Sequence, residues 1–216
     1  MQKKVLSSPN IAVFDKFALE YDQWFIENSF AYLSETDAIR RFIPDSGLGV
    51  EIGAGTGRFS IPFGIRLGIE PSVEMTRIAK SRGIYIARAV AEELPFADRT
   101  IDYVLIVTTI CFLTDLPAAF KEIHRVLKPG GRVIIGFIDR ESPLGKKYEL
   151  MKGSSRFYKG ATFYSASQVM NILTTAGFSD YKLCQTIFSN PKDMVKYDPV
   201  QEGHGKGGFV VLRGIK

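Results

Sequence analysis

A set of alternating glycines directly after a short β-rich run is the feature that most constrains how this chain can fold. The run ends at Ile52, and Gly53, Gly55 and Gly57 follow at every second position. Glycines at such a point let the backbone turn tightly and let a ligand approach the main chain with no Cβ in the way. The pattern predicts a strand, a turn and then a helix, but similar turns serve NAD, FAD, nucleotides or packing alone.

From Leu48 onward, short β-rich runs alternate with helical stretches. This alternation predicts an α/β fold with a Rossmann-like, mostly parallel sheet that carries helices on both faces. We expect seven strands with an antiparallel last strand, because only turn-forming residues separate the final two runs. The expected strands are 49–52, 65–69, 84–88, 102–107, 132–138, 181–188 and 208–213.

Cap signals mark where helices begin and end. Ser72 precedes one predicted helix, and the pair Ser165 and Gln168 forms a capping-box pattern ahead of another. A third predicted helix, with one apolar face, stops at the Lys-Pro-Gly-Gly sequence of 128–131. Residues 14–43 combine aromatic and charged side chains at helical spacing, which predicts helices that precede the sheet.

The composition is that of one globular domain. The chain has 216 residues, of which 45% are hydrophobic and 24% charged, and no repeat or linker divides it. We expect one domain built from a helical cap (1–45), a cofactor-binding core (46–139), a variable insertion on the substrate side (140–165), and a closing helix with strands (166–216).

Composition also disfavours several classes of protein. No apolar run is long enough to span a bilayer or to form a signal-peptide core. Cys111 and Cys184 lie in β-rich runs typical of reduced, buried thiols, so we predict a cytoplasmic protein. The net charge of +5 is too small to indicate nucleic-acid binding. The basic residues of 146–159 indicate either a solvated loop or an anionic substrate.

Two details narrow the ligand of the glycine turn. Arg58 stands at the sixth position, where a dinucleotide-binding turn requires a small residue, so NAD is disfavoured. Glu70 ends the next β-rich run, where a carboxylate could accept both hydroxyl groups of a ribose. The alternative for Glu70 is an acidic residue that only starts a helix.

Four motifs follow one another along the chain. They are Glu-Ile-Gly-Ala-Gly-Thr-Gly at 51–57, Gly-Ile-Glu-Pro-Ser at 68–72 with Met75, Ala-Glu-Glu-Leu-Pro-Phe at 91–96, and the run that ends in Lys-Pro-Gly-Gly at 128–131. Together they resemble the class I S-adenosylmethionine-dependent methyltransferases, and most of all the methyltransferase type 11 branch that includes the ubiquinone and menaquinone biosynthesis methyltransferases. The resemblance covers roughly residue 14 to the last residue. It implies S-adenosyl-L-methionine as cofactor and S-adenosyl-L-homocysteine as product.

The resemblance also implies which residues contact the cofactor. The implied set is Tyr21, Glu51, Gly53, Ala54, Gly55, Thr56, Gly57, Glu70, Pro71, Met75, Ala91, Glu92, Val107 and Thr108. Two departures from the family pattern stand out. Val90 replaces an aspartate that bonds the adenine amino group, and the short segment 58–64 predicts a first crossover helix about one turn shorter than usual.

Methyl transfer from a sulfonium is an in-line displacement that needs few protein groups. Positioning the two reactants can supply ~7–11 kcal/mol of the barrier, and a base is needed only where the acceptor must lose a proton. Tyr21, Thr109 and His204 are the candidates for such a base or orienting group. No metal is expected, because Thr108 is not the acidic ligand that a metal-assisted enzyme would place after its fourth strand.

The methyl acceptor is expected to be a small molecule, and its contacts would come from the variable segments 14–43 and 140–164. The aromatic side chains of these segments favour a partly apolar compound; they are Trp24, Phe25, Phe157, Tyr158, Phe163 and Tyr164. The atom methylated stays open among N, O, S and C. An RNA or protein methyltransferase and a non-catalytic S-adenosylmethionine-binding protein are the alternatives.

Overall fold

The computed structural model describes residues 9–216, and its strands form a single sheet. The strands are β1 (Gly49–Ile52), β2 (Leu67–Ile69), β3 (Tyr85–Ala87), β4 (Ile101–Val107), β5 (Leu127–Ile138), β6 (Ser179–Thr186), β7 (Gln201–Glu202) and β8 (Phe209–Ile215). Their order is β3-β2-β1-β4-β5-β8-β6-β7. β1 to β5 are parallel, whereas β8 runs antiparallel to both β5 and β6. The predicted Rossmann-like α/β fold is confirmed.

The sheet has one strand more than the seven predicted. β7 pairs antiparallel with β6, which makes eight strands among the described residues. Its two residues are exposed and polar, so no hydrophobic alternation could reveal the strand in the sequence. The predicted antiparallel pairing of the last two β-rich runs is confirmed, with Leu183 opposite Leu212.

Helices precede the sheet and cover it. They are α1 (Pro9–Lys16), α2 (Ala18–Glu27), α3 (Ser29–Arg40), α4 (Val73–Ser81), α5 (Leu116–Val126), α6 (Pro143–Met151) and α7 (Ala166–Thr175). Ser72 caps α4 by accepting the N–H of Met75 at 3.2 Å, and Ser165 with Gln168 forms the predicted capping box at α7. Within residues 9–216, no helix is long and apolar enough to cross a membrane.

Two connections differ from the prediction. The segment between β1 and β2 contains no α-helix, only a 3-10 turn at Ile61–Phe63 that ends at Gly64 with φ 66°. Too few residues remain after the glycine turn to form a helix and return to the sheet. The Lys-Pro-Gly-Gly sequence belongs to the start of β5 and not to a loop, and Gly130 donates its N–H to the Lys216 carbonyl at 3.0 Å.

The central strands have apolar side chains on both faces, as a covered parallel sheet requires. Val104 and Ile106 of β4 pack with α5 and α7, whereas Leu105 and Val107 pack with α3 and the end of α2. β1 lies between β2 and β4: the chain builds the sheet to one side of β1 with β2 and β3, and then to the other side with β4 and β5. Ligands of open α/β sheets bind in the crevice that this arrangement creates at the carboxyl ends of the strands.

Candidate active site

Two adjoining cavities lie at this edge of the sheet. The first contains about 800 Å³ of empty space, including its part open to solvent, and is walled by the ends of β1 and β2, the segment after β4 and the helix α1. The second contains about 740 Å³ of empty space, likewise including its open part, and is walled mainly by aromatic side chains of α2, α6 and the segment after α6. Phe14, Tyr21, Thr108 and Phe112 line both cavities, so these four residues stand where the two meet.

The glycine turn forms the floor of the first cavity. Gly53 and Gly55 line it, with φ values of 69° and 54° that favour glycine. A Cβ at Gly53 would come within 2.3 Å of the Thr109 side chain, so the turn packs tightly there. A Cβ at Gly55 would have Tyr21 as its nearest neighbour, at 3.7 Å. The main chain at Gly55 is therefore exposed to a ligand.

Glu70 lies where β2 ends, on the wall of the first cavity. Its carboxylate accepts the N–H of Gly55 and the N–H of Ser72, both at 2.9 Å. Burial raises the pKa of Glu70 to about 7, although these two N–H groups act in the opposite direction. The carboxylate is thus fixed between the glycine turn and the start of α4, at the position that the sequence predicts for a ribose.

Other predicted cofactor residues lie behind the cavity wall. Glu51 is 1% exposed and accepts a hydrogen bond from the Ser60 hydroxyl, and burial raises its pKa to about 8. Thr56 donates its hydroxyl to Asp22 at 2.6 Å. Ala54, Gly57 and Val107 are likewise absent from the described residues that line the first cavity. These residues lie around the glycine turn and do not line the first cavity.

The far end of the first cavity is formed by the predicted adenine-side residues. Pro71, Met75, Ala91 and Glu92 all line it, together with Val90. The Glu92 carboxylate accepts the N–H groups of two residues in the loop that precedes α5, at 3.0 and 3.1 Å. Glu92 therefore anchors that loop, and Val90 gives the cavity an apolar surface where the family has an aspartate.

Tyr21 is the predicted site residue with the most central position. It lines both cavities and packs edge-on against Phe14, with ring centroids 5.6 Å apart. Burial, opposed by an interaction with the Thr108 side chain, raises the pKa of the Tyr21 phenol above its ordinary value. Thr108, directly after β4, has a φ of 48°. A backbone strained in this way at the junction of two cavities is typical of functional sites.

The other two candidate bases lie differently. Thr109 lines the first cavity, and its hydroxyl lies within hydrogen-bonding distance of the Val107 carbonyl at 2.9 Å and of the Gly53 carbonyl at 3.3 Å, so it holds the glycine turn against the end of β4. His204 is absent from the described lining of both cavities, and its Nδ1 lies 3.8 Å from the buried carboxylate of Asp139. The structure therefore brings Tyr21 and Thr109 together and leaves His204 apart.

An ion cluster that the sequence analysis missed fastens α2 to the glycine turn. Asp22 accepts hydrogen bonds from Arg58 at 2.5 and 2.9 Å and from Arg82 at 2.6 and 2.7 Å. Although burial acts against it, the two guanidinium groups and the Thr56 hydroxyl hold the pKa of Asp22 well below its usual range. Arg58, whose size argued against NAD, is therefore paired with Asp22 of α2.

The second cavity contains a buried acidic residue that was also missed. Glu35 lies on α3, is 4% exposed and lines this cavity. Most of the remaining wall is aromatic and includes four of the residues expected near the acceptor, namely Trp24, Phe25, Phe157 and Tyr158. Polar and apolar residues are not cleanly separated onto two faces of α3, so nothing in its sequence pattern indicates that a carboxylate points inward there.

S-adenosylmethionine fits the first cavity. The exposed main chain of Gly55 suits the methionine part, the fixed Glu70 carboxylate suits a ribose, and the apolar surface around Met75 suits adenine. The cavity also opens toward a second space large enough for an acceptor. The donor set therefore agrees with the cofactor that the motifs imply.

Comparisons with known proteins identify the family of the chain. A family described as "Methyltransferase domain" matches residues 50–135. An uncharacterised protein of Methanocaldococcus jannaschii is 49% identical over 94% of this chain and 98% of its own length. The ubiquinone/menaquinone biosynthesis C-methyltransferase of Idiomarina loihiensis is 34% identical over 94% of this chain and 89% of its own.

A solved structure extends the agreement to the whole fold. The SAM-dependent methyltransferase of Thermotoga maritima, described as a possible histamine N-methyltransferase, superposes with a TM-score of 0.93. It is 47% identical, and the match covers 95% of this chain and 99% of the other. The chain belongs to the class I S-adenosylmethionine-dependent methyltransferases, and S-adenosylmethionine is its cofactor.

Proposed function

We propose that this enzyme transfers the methyl group of S-adenosylmethionine to a small molecule bound in the second cavity. The observation that carries the proposal is the junction of the two cavities, which share Phe14, Tyr21, Thr108 and Phe112. An acceptor in the aromatic cavity would meet the first cavity only at this junction. Both variable segments expected on the substrate side, 14–43 and 140–164, contribute to its wall.

The residues of the chain have three tasks in this mechanism. When bound, S-adenosylmethionine supplies an electrophilic methyl group on a positively charged sulfur. Gly55 and Glu70 would hold the cofactor in the first cavity. Tyr21 and Thr108 would orient the acceptor at the junction. The aromatic wall excludes water, which strengthens every electrostatic interaction inside. Orientation and exclusion of water are the main contributions that an in-line displacement requires.

A small acceptor is favoured over an RNA. The basic segment 146–159 is partly neutralised, because Lys152 pairs with Glu149 at 2.6 Å and Arg156 pairs with Glu20. The two relatives reported above whose descriptions name a reaction are linked to small molecules, one to a quinone pathway and the other to histamine. These descriptions differ in the atom methylated, so the acceptor of this chain must be argued from its own cavity.

Cofactor binding tests the site directly. We expect Glu70→Ala to weaken binding of S-adenosylhomocysteine about 10- to 100-fold, since hydrogen bonds to a charged group contribute ~1.5–3 kcal/mol. Isothermal titration calorimetry measures the affinity. Glu74→Ala, which removes a carboxylate paired with Arg77 on the surface of α4, is the matched control and should bind normally. Unchanged affinity in Glu70→Ala would refute the assignment of the ribose site.

The acceptor class is tested by following label from S-adenosylmethionine. The purified enzyme is incubated with a panel of apolar metabolites, with bulk tRNA and with a protein extract in parallel. We expect label in the small-molecule fraction only. Transfer to tRNA or to protein at a comparable rate would contradict the proposal, and binding of S-adenosylhomocysteine without any transfer would favour a non-catalytic binder.

A further inference from the structure

The second cavity contains an ionisable group that the fold leaves without a partner. Within residues 9–216, no hydrogen bond or ion pair to the Glu35 carboxylate is found, and burial alone raises its pKa to about 8. The two other buried glutamates at this edge of the sheet are satisfied, Glu51 by Ser60 and Glu70 by two backbone N–H groups. Buried carboxyl groups are normally paired, so an unpaired one on a cavity wall indicates that a ligand supplies the partner.

The surroundings of Glu35 favour a cation as that partner. Trp24, Phe25, Tyr148 and Tyr158 line the same cavity, and the described part of its wall contains no Lys, Arg or His. The faces of aromatic rings attract cations, most strongly where water is excluded. A carboxylate or phosphate acceptor would meet no cationic side chain on this part of the wall.

The tyrosines around Glu35 stay protonated at neutral pH. Burial first, and then the charge of Glu35, raises the pKa of Tyr148 to about 12. Burial, together with smaller effects that include the same carboxylate, raises the pKa values of Tyr21 and Tyr158. These three are the titratable groups on neighbouring elements that interact with Glu35. Among the described residues that line this cavity, Glu35 is therefore the group that can change its charge near neutral pH.

We propose that the methyl acceptor is an amine with an apolar body, and this inference rests on the proposed small-molecule function. The protonated nitrogen of the amine pairs with Glu35 and is the atom that is methylated. The ammonium gives one proton to the Glu35 carboxylate, which becomes a neutral carboxylic acid. The freed lone pair of the nitrogen forms the new N–C bond as the C–S bond breaks, and the electrons of that bond remain on sulfur. The methylated nitrogen carries the positive charge, and the proton on Glu35 passes to solvent when the product leaves.

The chemistry suits such a role for Glu35. A general base works best when its pKa lies near the working pH, and a carboxyl group near 8 meets this condition. The same group recognises the acceptor and prepares it, because the charged carboxylate attracts the ammonium and the transferred proton then exposes the lone pair. A neutral acceptor could donate a hydrogen bond to the buried carboxylate but would not balance its charge.

Matched probes test the inference on the full chain in the presence of S-adenosylhomocysteine. The probes are the amines 2-phenylethylamine and tryptamine, the neutral 2-phenylethanol and the anionic 3-phenylpropanoate. We expect the amines to raise the melting temperature and to bind at least about 10-fold more tightly than the other two. With S-adenosylmethionine, we expect the amines alone to gain a methyl group, as detected by mass spectrometry.

Two variants of α3 distinguish a specific role of the Glu35 carboxylate from a general loss of folding or of cofactor binding. Glu35→Gln keeps the shape of the side chain, and we expect it to lower kcat/KM for the amines ~10²-fold or more. Its affinity for S-adenosylhomocysteine should stay within about twofold of the wild type, which also shows that it folds. Asp37→Asn removes an exposed carboxylate two residues away on α3 and should behave as the wild type.

Several results would overturn the inference. They are equal binding of 2-phenylethanol and 2-phenylethylamine, full amine methylation by Glu35→Gln, and no response to either amine in wild-type protein that binds S-adenosylhomocysteine. Methylation of the neutral or anionic probe would refute the amine class but leave the proposed small-molecule function intact. Methylation of tRNA or protein alone would refute the proposed function itself.

Discussion

Gly53 is a residue of the glycine turn with little room for a side chain. Its φ is 69°, and a Cβ would lie 2.3 Å from the Thr109 side chain, which itself bonds to the main chain. We expect Gly53→Ala to lower the free energy of unfolding by ~2–4 kcal/mol, from backbone strain and overpacking together. Urea unfolding measures the change.

The control for this substitution is a glycine with free space around it. Gly153→Ala adds a Cβ with no atom within 4 Å and no positive φ, so its effect should stay within about 0.5 kcal/mol. If Gly53→Ala were no more destabilising than Gly153→Ala, the turn would not be packed as tightly as the structure indicates.

Residues whose role follows from their neighbours in the chain could be predicted from the sequence. Residues whose role depends on contacts with distant segments could not. Gly53, Gly55 and Glu70 follow directly after strands, so their positions on the edge of the sheet could be predicted from the chain itself. Glu35 has no such local signal, because its importance comes from burial against segments more than 100 residues away. A surface helix and a helix with one functional carboxylate look alike in a single sequence.

Among the elements, the contact between α2 and the glycine turn has the clearest consequence. Asp22 joins Arg58 and Arg82 across this contact, and the three side chains are 13%, 22% and 25% exposed. We expect Asp22→Ala to destabilise the protein by ~1–3 kcal/mol, since two partly buried guanidinium groups lose their acceptor. We also expect weaker binding of S-adenosylhomocysteine, because α2 carries Tyr21. Urea unfolding and calorimetry measure the two effects.

The matched control lies on the exposed side of the same helix. Glu20 pairs with Arg156, and both side chains are more than half exposed, so Glu20→Ala should cost less than about 1 kcal/mol. Equal costs for the two variants would show that the cluster around Asp22 does not fasten α2 to the turn.

Elements were predictable wherever their signal was a cap or a continuous apolar run. The capping box at Ser165 and the buried run of β4 belong to this class. The first crossover and β7 do not, because both depend on how neighbouring elements are spaced. In the crossover, the position of β2 beside β1 leaves room only for the turn at Ile61–Phe63. The length of segment 58–64 predicts a short α-helix, but the distance that the chain must cover to reach β2 leaves only a 3-10 turn.

For the molecule as a whole, the two cavities separate the part of the chain that binds the cofactor from the part that would recognise the acceptor. The motifs that revealed the fold lie mainly around the first cavity, whereas the second is built largely from the cap and from 140–165. Family resemblance therefore predicted the cofactor and left the acceptor open. The class of acceptor depends on charge and shape in a space that forms only when segments far apart in the chain pack together.

Three buried carboxyl groups make the stability of the whole molecule dependent on pH. Burial raises the pKa values of Glu35, Glu51 and Glu70 from 4.5 to about 8, 8 and 7. Between pH 4.5 and the raised pKa of each group, the folded protein holds a proton that the unfolded chain has released. The free energy of unfolding therefore falls as pH rises through this range. Each group contributes up to ~1.4 kcal/mol per pH unit. Asp22 acts oppositely, because its lowered pKa gives stability that is lost as pH falls below 3.8.

These opposing effects predict a free protein that is most stable near pH ~4–5 and loses stability steadily up to about pH 8. Urea unfolding in one mixed buffer at constant ionic strength, from about pH 4.5 to about pH 8.5, measures the profile. Glu35→Gln removes one of the three raised groups and should make the decline shallower, while Asp37→Asn, an exposed residue on the same helix, should leave it unchanged. A free energy of unfolding that stays level or increases across this range would mean that these carboxyl groups are not buried in their acidic form. The loss of proton uptake at Glu35 would then also remove the basis for its role as the base that accepts the proton of an amine.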